Sequence, residues 1–563
     1  MYKRIFVGLL LTLSYSTGFG QTKANVKKIE KLVAAVVKKV MGATVKIAAF
    51  DTLSQTLAVS QFSGVVVNEE GLVLTAAHAT QPKQIYQLCF PNGRKILAKG
   101  LGRISLGKDK PATDVAMMQI IENGIWPFAE MAYSSEMIVG QPCIGISFPG
   151  TFEQKLPNVR LGRIETTDIS KGNFQSSCKM EPGDSGGALF DVNGRLIGIH
   201  SWILNNEQQN FEVPIDLYRR YWDALHVPIS YDSLPKSINN VATSCKIDSD
   251  TIPPLDLMAI IKTKNASSVI NISSTVYDHV MYFSLGTILK FEINGKPFQG
   301  ILTKSSSVGD QALITFRGKQ FKAKTFYRNK ENDLALLRID NMLPSGIDLS
   351  LGAAEISIPL GTVLFSALAD GKSKVGIAST HEIEMEMKYS FGFLGAKTKF
   401  INDQVTITEI PKGYPADGIL KTFDRIKSIN GIAINRPEQY IEVLSKYYQN
   451  DTISMEIFRD GKAMLQKIRL GIFRPVGHTG DSYSGGRSPR SDGFKKVIAQ
   501  DAAIKANECG GPVFDVAGHF VGINIGRHSR TSTIIMPADV IAKFCEQYVK
   551  ELPLLSAGKI SNR

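Results

Sequence analysis

The sequence predicts a mainly β protein in which one domain occurs twice in tandem and the second copy carries an insert. Three observations predict it. Short alternating apolar runs are punctuated by 49 glycines along 563 residues, which is the pattern of turn-rich β architecture. The stretch EPGDSGGALFDVNG, residues 181–194, returns as NECGGPVFDVAG, residues 507–518. The offset between the copies also jumps: Asp333 lies 219 residues after Asp114, whereas Cys509 lies 324 after Ser185. About a hundred extra residues, a domain's worth, therefore separate the two motifs in the second copy.

Composition narrows the function classes. With 43% hydrophobic and 21% charged residues the chain is globular, not disordered or fibrous. The net charge of +13 is spread along the sequence with no nucleic-acid motif, so no nucleic-acid partner is expected. Residues 1–20 read as an export signal, because Lys3 and Arg4 precede the apolar run Ile5–Leu13 and small residues lead to Gln21. That run is too short to span a bilayer, and no other stretch approaches eighteen apolar residues. The expectation is an exported protein, periplasmic or secreted, with no integral membrane segment. Cys89, Cys143, Cys178, Cys245, Cys509 and Cys545 are widely spaced with no CxxC, so neither a zinc site nor a disulfide framework can be read from them. No metal or cofactor is expected.

Three short motifs carry the chemistry. GLVLTAAHA ends an alternating run at His78, ATDVAMMQI places Asp114 at the start of another, and EPGDSGGALF sets Ser185 in a glycine-lined turn. A hydroxyl is a poor nucleophile until an imidazole takes its proton, and a carboxylate keeps that imidazole oriented. The glycines around Ser185 also fit the G-x-S-x-G elbow of α/β-hydrolases. There, however, a helix follows the serine, and the acid and histidine come later in the chain. Here two apolar runs joined at Asn193-Gly194 follow Ser185, a hairpin signal, and the order is His78, Asp114, Ser185.

On TAAH, TDVAMMQI, GDSGG, GRLIGIHS and the closing segment VPIDLYRRYWDAL, residues of roughly 25 to 230 resemble a trypsin-like serine protease of the HtrA/Deg type, with a chymotrypsin-like double β-barrel. The resemblance implies that Ser185 attacks, His78 shuttles the proton and Asp114 fixes the imidazole. It also implies that the backbone N–H groups of Gly183 and Ser185 form the oxyanion hole; Gly183 lacks a Cβ, so the turn can aim its amide at developing negative charge. His200 is expected to line or support the site. Cys178 reads as a small buried residue. Lys179, six residues before the serine, stands where such folds set substrate preference.

The repeat assigns the second copy. LTKSSSV matches LTAAHAT, NDLALLRI matches TDVAMMQI, and CGGPVFDVAGHFVGINIG matches SGGALFDVNGRLIGIHS. Ser306 thus stands for His78, Asp333 for Asp114, Cys509 for Ser185 and Asn507 for Gly183. A thiol needs a base, and catalysis there requires His528 or His519 to fold into the gap. The expectation is a degenerate protease-like domain. The insert, from FGFLGAKTKF through DTISMEIFRDGKAMLQKIRL, resembles a PDZ domain. That resemblance implies that a peptide adds as a strand to a sheet edge while the loop Phe393, Leu394, Gly395 captures its terminal carboxylate.

The expected layout is a signal over 1–20, an active protease domain over 21–228, and a linker over 229–255. A degenerate domain split as 256–390 and 494–555 follows, with a PDZ domain over 391–471 and a flexible return linker over 472–493. The fold class is mainly β, two chymotrypsin-like double barrels in tandem with PDZ in the second. The expected activity is serine endopeptidase action on polypeptides, with protein C-termini or exposed strands recognised by the PDZ domain; the oligomeric state is not readable. Two alternatives remain: a peptide-binding or chaperone-like scaffold with little protease activity, and a nucleophilic Cys509.

Overall fold

The computed structural model describes residues 24–106, 113–169, 172–237, 266–277, 280–352, 357–473 and 479–556. The export signal expected over 1–20 and most of the linker expected over 229–255 lie outside the described residues.

The first copy begins with β1 (Thr44–Asp51), β2 (Thr56–Val66), β3 (Leu72–Thr75), β4 (Ile85–Cys89), β5 (Lys95–Ser105) and β6 (Asp114–Ile120). These pair antiparallel in the order β4-β1-β2-β3-β6, and β5 bonds to both β4 and β6, which rolls the sheet into a barrel. β5 shows the cause. In KILAKGLGRIS every second residue, among them Ile96, Ala98 and Ile104, is buried while Lys95 and Lys99 stay in water, the period of a strand with one dry face. A second, closed barrel follows: β7 (Pro142–Ser147), β8 (Asn158–Thr166), β9 (Phe174–Ser176), β10 (Ala188–Phe190), β11 (Leu196–Ile203) and β12 (Asn210–Pro214). Tyr218, in the helix Ile215–Arg220 that leaves this barrel, donates to the Thr75 carbonyl at 2.7 Å and ties the two barrels at the active-site end.

The second copy repeats this order. Its first six strands, from Val269–Tyr277 to Leu334–Arg338, pair as β1–β6 do. Its second half uses Val363–Ala367 and Ser373–Ile377, then Phe494–Gln500, Pro512–Phe514, Phe520–Arg527 and Thr533–Pro537. The insert enters between the counterparts of β8 and β9. At that seam Ala378 bridges Gln500, the Ser379 amide donates to the Ala499 carbonyl at 2.8 Å, and the short strand Ile383–Met385 pairs antiparallel with Phe494–Gln500. The insert has its own core, in which Tyr440, Val443 and Leu444 of the helix Pro437–Leu444 pack on Val405, Ile426 and Met455 of an antiparallel sheet.

One element was not anticipated as a separate unit. Residues 24–40 form a helix whose Val26, Ile29, Val33, Val36 and Val40 are all at most 2% exposed. These positions follow the helical period. The helix lies against both copies: Lys39 Nζ donates to the Asn193 carbonyl at 3.2 Å, and Val363 N donates to Glu30 Oε1 at 2.9 Å. Burial of five Val and Ile side chains contributes on the order of 10 kcal/mol before ordering entropy is subtracted. The helix is thus a main apolar joint between the copies.

The stretch GDSYSGGRSPRSDG departs from the flexible linker expected over 472–493. Ser488, Arg490, Ser491 and Asp492 are buried. Arg490 donates to the carbonyls of Lys330, Glu331 and Gly493 and to the Tyr448 hydroxyl, and its guanidinium lies 4.0 Å from the Tyr448 ring centroid. Asp492 accepts the amides of Lys388, Tyr389 and Ser390 at 3.1, 2.8 and 3.0 Å, so the two strands of chain that enter and leave the insert are bonded to each other. The end of that polar stretch is a set of buried partners, while most of residues 481–486 are exposed. Accordingly, in a Ser185→Ala background, added trypsin should leave the chain uncut at Arg487 and Arg490. Arg490→Ala, which leaves several buried carbonyls unpaired, should lower stability by about 2–4 kcal/mol and open Arg487 to cleavage, read by denaturant unfolding and by mass of the fragments.

Candidate active site

His78, Asp114 and Ser185 come from three elements that the two barrels bring together. His78 sits in the single 3-10 turn Ala77–Ala79 that ends β3, and Asp114 opens β6, the strand paired with β3. Asp114 Oδ1 accepts the His78 backbone amide and Oδ2 accepts His78 Nδ1, both at 2.8 Å. With Nδ1 as the donor, Nε2 is the basic nitrogen. Burial pulls the imidazole pKa down, but the hydrogen bond and charge of Asp114 outweigh it and leave His78 raised above its ordinary value. For Asp114, burial pushes the carboxyl up, while the bonds from His78 and Ser201 overcome that and hold it low.

Ser185 lies between β9 and β10, in the turn whose glycines can be no other residue. A Cβ on Gly186 (φ +84°) would sit 2.1 Å from the Ser63 carbonyl oxygen, and one on Gly183 (φ +100°) would sit 2.3 Å from Gly150 N. The Ser63 amide donates to the Ser185 carbonyl at 2.9 Å, and the Gly150 amide to the Pro182 carbonyl at 2.7 Å. With that carbonyl turned toward Gly150, the planar peptide directs the Gly183 N–H the opposite way. Among the described residues neither the Gly183 nor the Ser185 amide has a protein acceptor, the condition required of donors kept for an oxyanion.

Sequence reasoning did not single out Ser201. It stands in β11, and its Oγ donates to Asp114 Oδ2 at 2.5 Å while its carbonyl accepts the Ser185 hydroxyl at 3.4 Å. One residue thereby touches both Asp114 and Ser185. The Ser185 hydroxyl rests on that carbonyl, in keeping with the looser geometry of substrate-free sites. The signal for it was the serine closing GRLIGIHS. Its neighbour His200 is fully buried, and burial, aided by the Arg160 charge, takes its pKa down to about 3. Its backbone exchanges hydrogen bonds with Gly186 and Gly187 at 2.8 Å, so it supports the nucleophile turn. Cys178 is buried with its sulfur 3.8 Å from that of Cys143. Lys179 lines a cavity of about 640 Å³ between the copies, one that no triad member lines; burial and then the Arg527 charge bring its ammonium to about 8.

The corresponding place in the second copy keeps the frame with other side chains. Asp333 accepts the Ser306 amide at 2.6 Å and its hydroxyl at 2.8 Å, the same two bonds that Asp114 makes with His78. Lys304, fully buried, pairs with Asp333 at 3.1 Å and donates to the carbonyls of Arg490 and Ile525. Cys509 is buried, its thiol pushed up by burial, and its sulfur meets the Ser488 hydroxyl and the Lys505 carbonyl, each at 3.6 Å. Asn507 falls in a 3-10 turn, Ala506–Glu508, with no counterpart of the positive φ of Gly183. His519 pairs with Asp515 at the surface, and His528 lies between the Ser491 and Thr151 carbonyls. Neither histidine reaches Cys509.

In the insert, Phe393 belongs to a two-residue strand paired with Gly471–Ile472, and its ring packs on Tyr414 and Phe473. Leu394 is buried, and Gly395 takes φ +76°, where a Cβ would collide with Tyr414. Just after them the strand Lys397–Ile401 is an edge, paired on one side with Gln404–Glu409.

The trypsin-like peptidase domain family matches residues 62–199, and the PDZ domain family matches residues 392–470. The chain is 23% identical over 422 residues to a probable periplasmic serine endoprotease DegP-like of Pseudomonas putida (strain GB-1), covering 72% of this chain and 78% of that one. It is 28% identical over 166 residues to the periplasmic serine endoprotease DegP of Escherichia coli (strain K12), covering 28% and 34%. A solved structure of the HtrA-type protease AlgW with tripeptide is 14% identical with a TM-score of 0.28, over 79% of this chain and 98% of that one. The chain is a serine-type hydrolase of the HtrA/Deg type, carrying a trypsin-like peptidase domain and a PDZ domain.

Proposed function

We propose that the protein is an exported endopeptidase that cuts polypeptides through an acyl-enzyme at Ser185. The observation that carries this reading is the Asp114 carboxylate, held at once by His78 and by Ser201, whose carbonyl receives the Ser185 hydroxyl. His78 Nε2 takes the hydroxyl proton as Ser185 Oγ attacks the peptide carbonyl. The amides of Gly183 and Ser185 receive the oxyanion. The imidazolium then gives its proton to the leaving amine, and a water, deprotonated by the same nitrogen, releases the acyl group. Asp114 keeps the ring in one tautomer throughout. No step needs a metal or cofactor.

The second copy is non-catalytic in this reading, because Cys509 has no base and no access to solvent. The insert supplies recognition: a peptide adds to the edge strand Lys397–Ile401, with its terminal carboxylate at the loop Phe393, Leu394, Gly395. Export rests on the signal-like residues 1–20 and on the periplasmic description of the relatives.

A fluorophosphonate probe should label the folded chain at Ser185 alone. Ser185→Ala should abolish labelling and lower kcat by about 10⁴-fold or more; an unlabelled wild-type chain of intact fold would instead leave the binding-scaffold reading standing. Iodoacetamide applied under native conditions should not reduce peptide hydrolysis, since the thiol of Cys509 is buried and protonated. The rate should also report the base. His78 must be neutral to act, and its pKa is raised, so kcat/KM should fall as pH drops through a midpoint above the ordinary histidine value of about 6.5. A pH–rate profile whose acid limb lies below that value would contradict the His78–Asp114 geometry.

A further inference from the structure

The turn 528–532 of the second copy is the counterpart of the first copy's loop 204–209, since each joins the last two strands of its barrel. Turns of this kind ordinarily face water. Here His528, Ser529, Arg530, Thr531 and Ser532 are all at most 2% exposed. Buried polar groups need partners, and several of these belong to the first copy.

Thr531 Oγ1 donates to Glu181 Oε2 at 2.8 Å. Arg530 donates to the Leu204 and Asn206 carbonyls, each at 2.8 Å. Arg527 pairs with Glu207 at 2.9 Å, and His528 Nε2 lies 3.3 Å from the Thr151 carbonyl. Three first-copy loops are gripped in this way, and two of them, at Thr151 and at Glu181, are bonded to each other beside Ser185. Glu181 is the central point, two residues before Gly183. Its other carboxylate oxygen accepts the Thr151 hydroxyl, and its amide donates to Asp184 Oδ2 at 2.8 Å. Asp184 in turn is fixed by Arg160 at 2.6 Å and by Ser147 at 2.8 Å. The Gly150 amide, next to Thr151, holds the Pro182 carbonyl. Arg530 also reaches Asn210 Oδ1 at 3.4 Å, the same oxygen that accepts the Met180 amide at 3.0 Å.

We propose that the second copy is a built-in positioning element for the first copy's oxyanion hole, with Thr531, supported by Arg527 and Arg530, setting the 180–184 turn that aims the Gly183 amide. The inference rests on the reading of Ser185 as nucleophile. Thr531 and Arg530 touch no reacting atom; they act through Glu181 and Asn210. A peptide plane that turns away costs an oxyanion donor, and loss of one such donor costs about 10²–10³-fold in kcat.

The test is Thr531→Val in the full chain, which keeps shape and removes the shorter of the two Thr531 bonds to Glu181 Oε2, leaving the backbone amide at 3.3 Å. The expected result is a 10- to 100-fold fall in kcat, bounded by that donor loss, with KM changed by less than about 3-fold. Affinity for a peptide aldehyde, whose hemiacetal oxygen occupies the same amides, should fall with kcat. The acid limb of the pH–rate profile should stay in place because His78 and Asp114 are untouched, and Thr531→Ser should restore the rate. Should Thr531→Val not fold, Arg530→Gln carries the same expectation. A folded Thr531→Val with wild-type kcat overturns the inference, as does a loss that Thr531→Ser does not repair. A wild-type chain that neither cleaves peptides nor takes the fluorophosphonate fails the proposed function itself, whereas an active wild type with an indifferent Thr531→Val fails this inference alone.

Discussion

The constraint on which the structure depends is a buried carboxylate at the head of the sixth strand. Asp114 uses both oxygens, one on the backbone of the histidine turn and one on the imidazole and the Ser201 hydroxyl. Because the histidine turn and β6 belong to the first barrel and Ser201 to the second, the acid joins two half-structures as well as orienting a base. The second copy separates these roles. Asp333 makes the same pair of bonds, now to Ser306, although no base remains. Lys304 supplies the positive charge that a buried carboxylate requires when the imidazole is gone. The carboxylate therefore holds the turn in both copies, with or without an imidazole beside it.

The sequence carries the site more fully than it carries the assembly. His78, Asp114, Ser185 and Gly183 are legible because each sits in a short stretch whose glycines and alternation are dictated by local geometry, as the positive φ of Gly183 shows. The duplication is legible for the same reason: register and turn residues survive in the second copy. Ser201 is harder to see, since nothing local distinguishes a serine that serves a carboxylate 87 residues away. Arg490, Arg527 and Arg530 are harder still. An arginine in a polar stretch normally marks a solvated surface, and the partner of Arg527 lies 320 residues earlier. The helix over 24–40 had a readable period, but what it packs against is set by tertiary structure.

The joint between the copies combines two kinds of interaction with different consequences. The helix over 24–40 supplies apolar area, which is strong and tolerant of small shifts. The cluster of Glu181, Glu207, Arg527, Arg530 and Thr531 supplies little net stability, because desolvation offsets much of the attraction between buried charges. It does fix geometry, since Arg527, Arg530 and Thr531 are each held on acceptors of the first copy at hydrogen-bond distance. That division suits an interface that must hold loops in place.

The stalk of the inserted domain has a mechanical corollary. Its two chain segments are clasped by Asp492, which gathers the amides of Lys388, Tyr389 and Ser390, and Arg490 braces them against Tyr448. A module tethered by a single strand can orbit and twist; one on a double, bonded stem can only rock about the line between its two feet. A load on the insert is therefore carried into the paired seam of the barrel beneath instead of dissipating in a swivel.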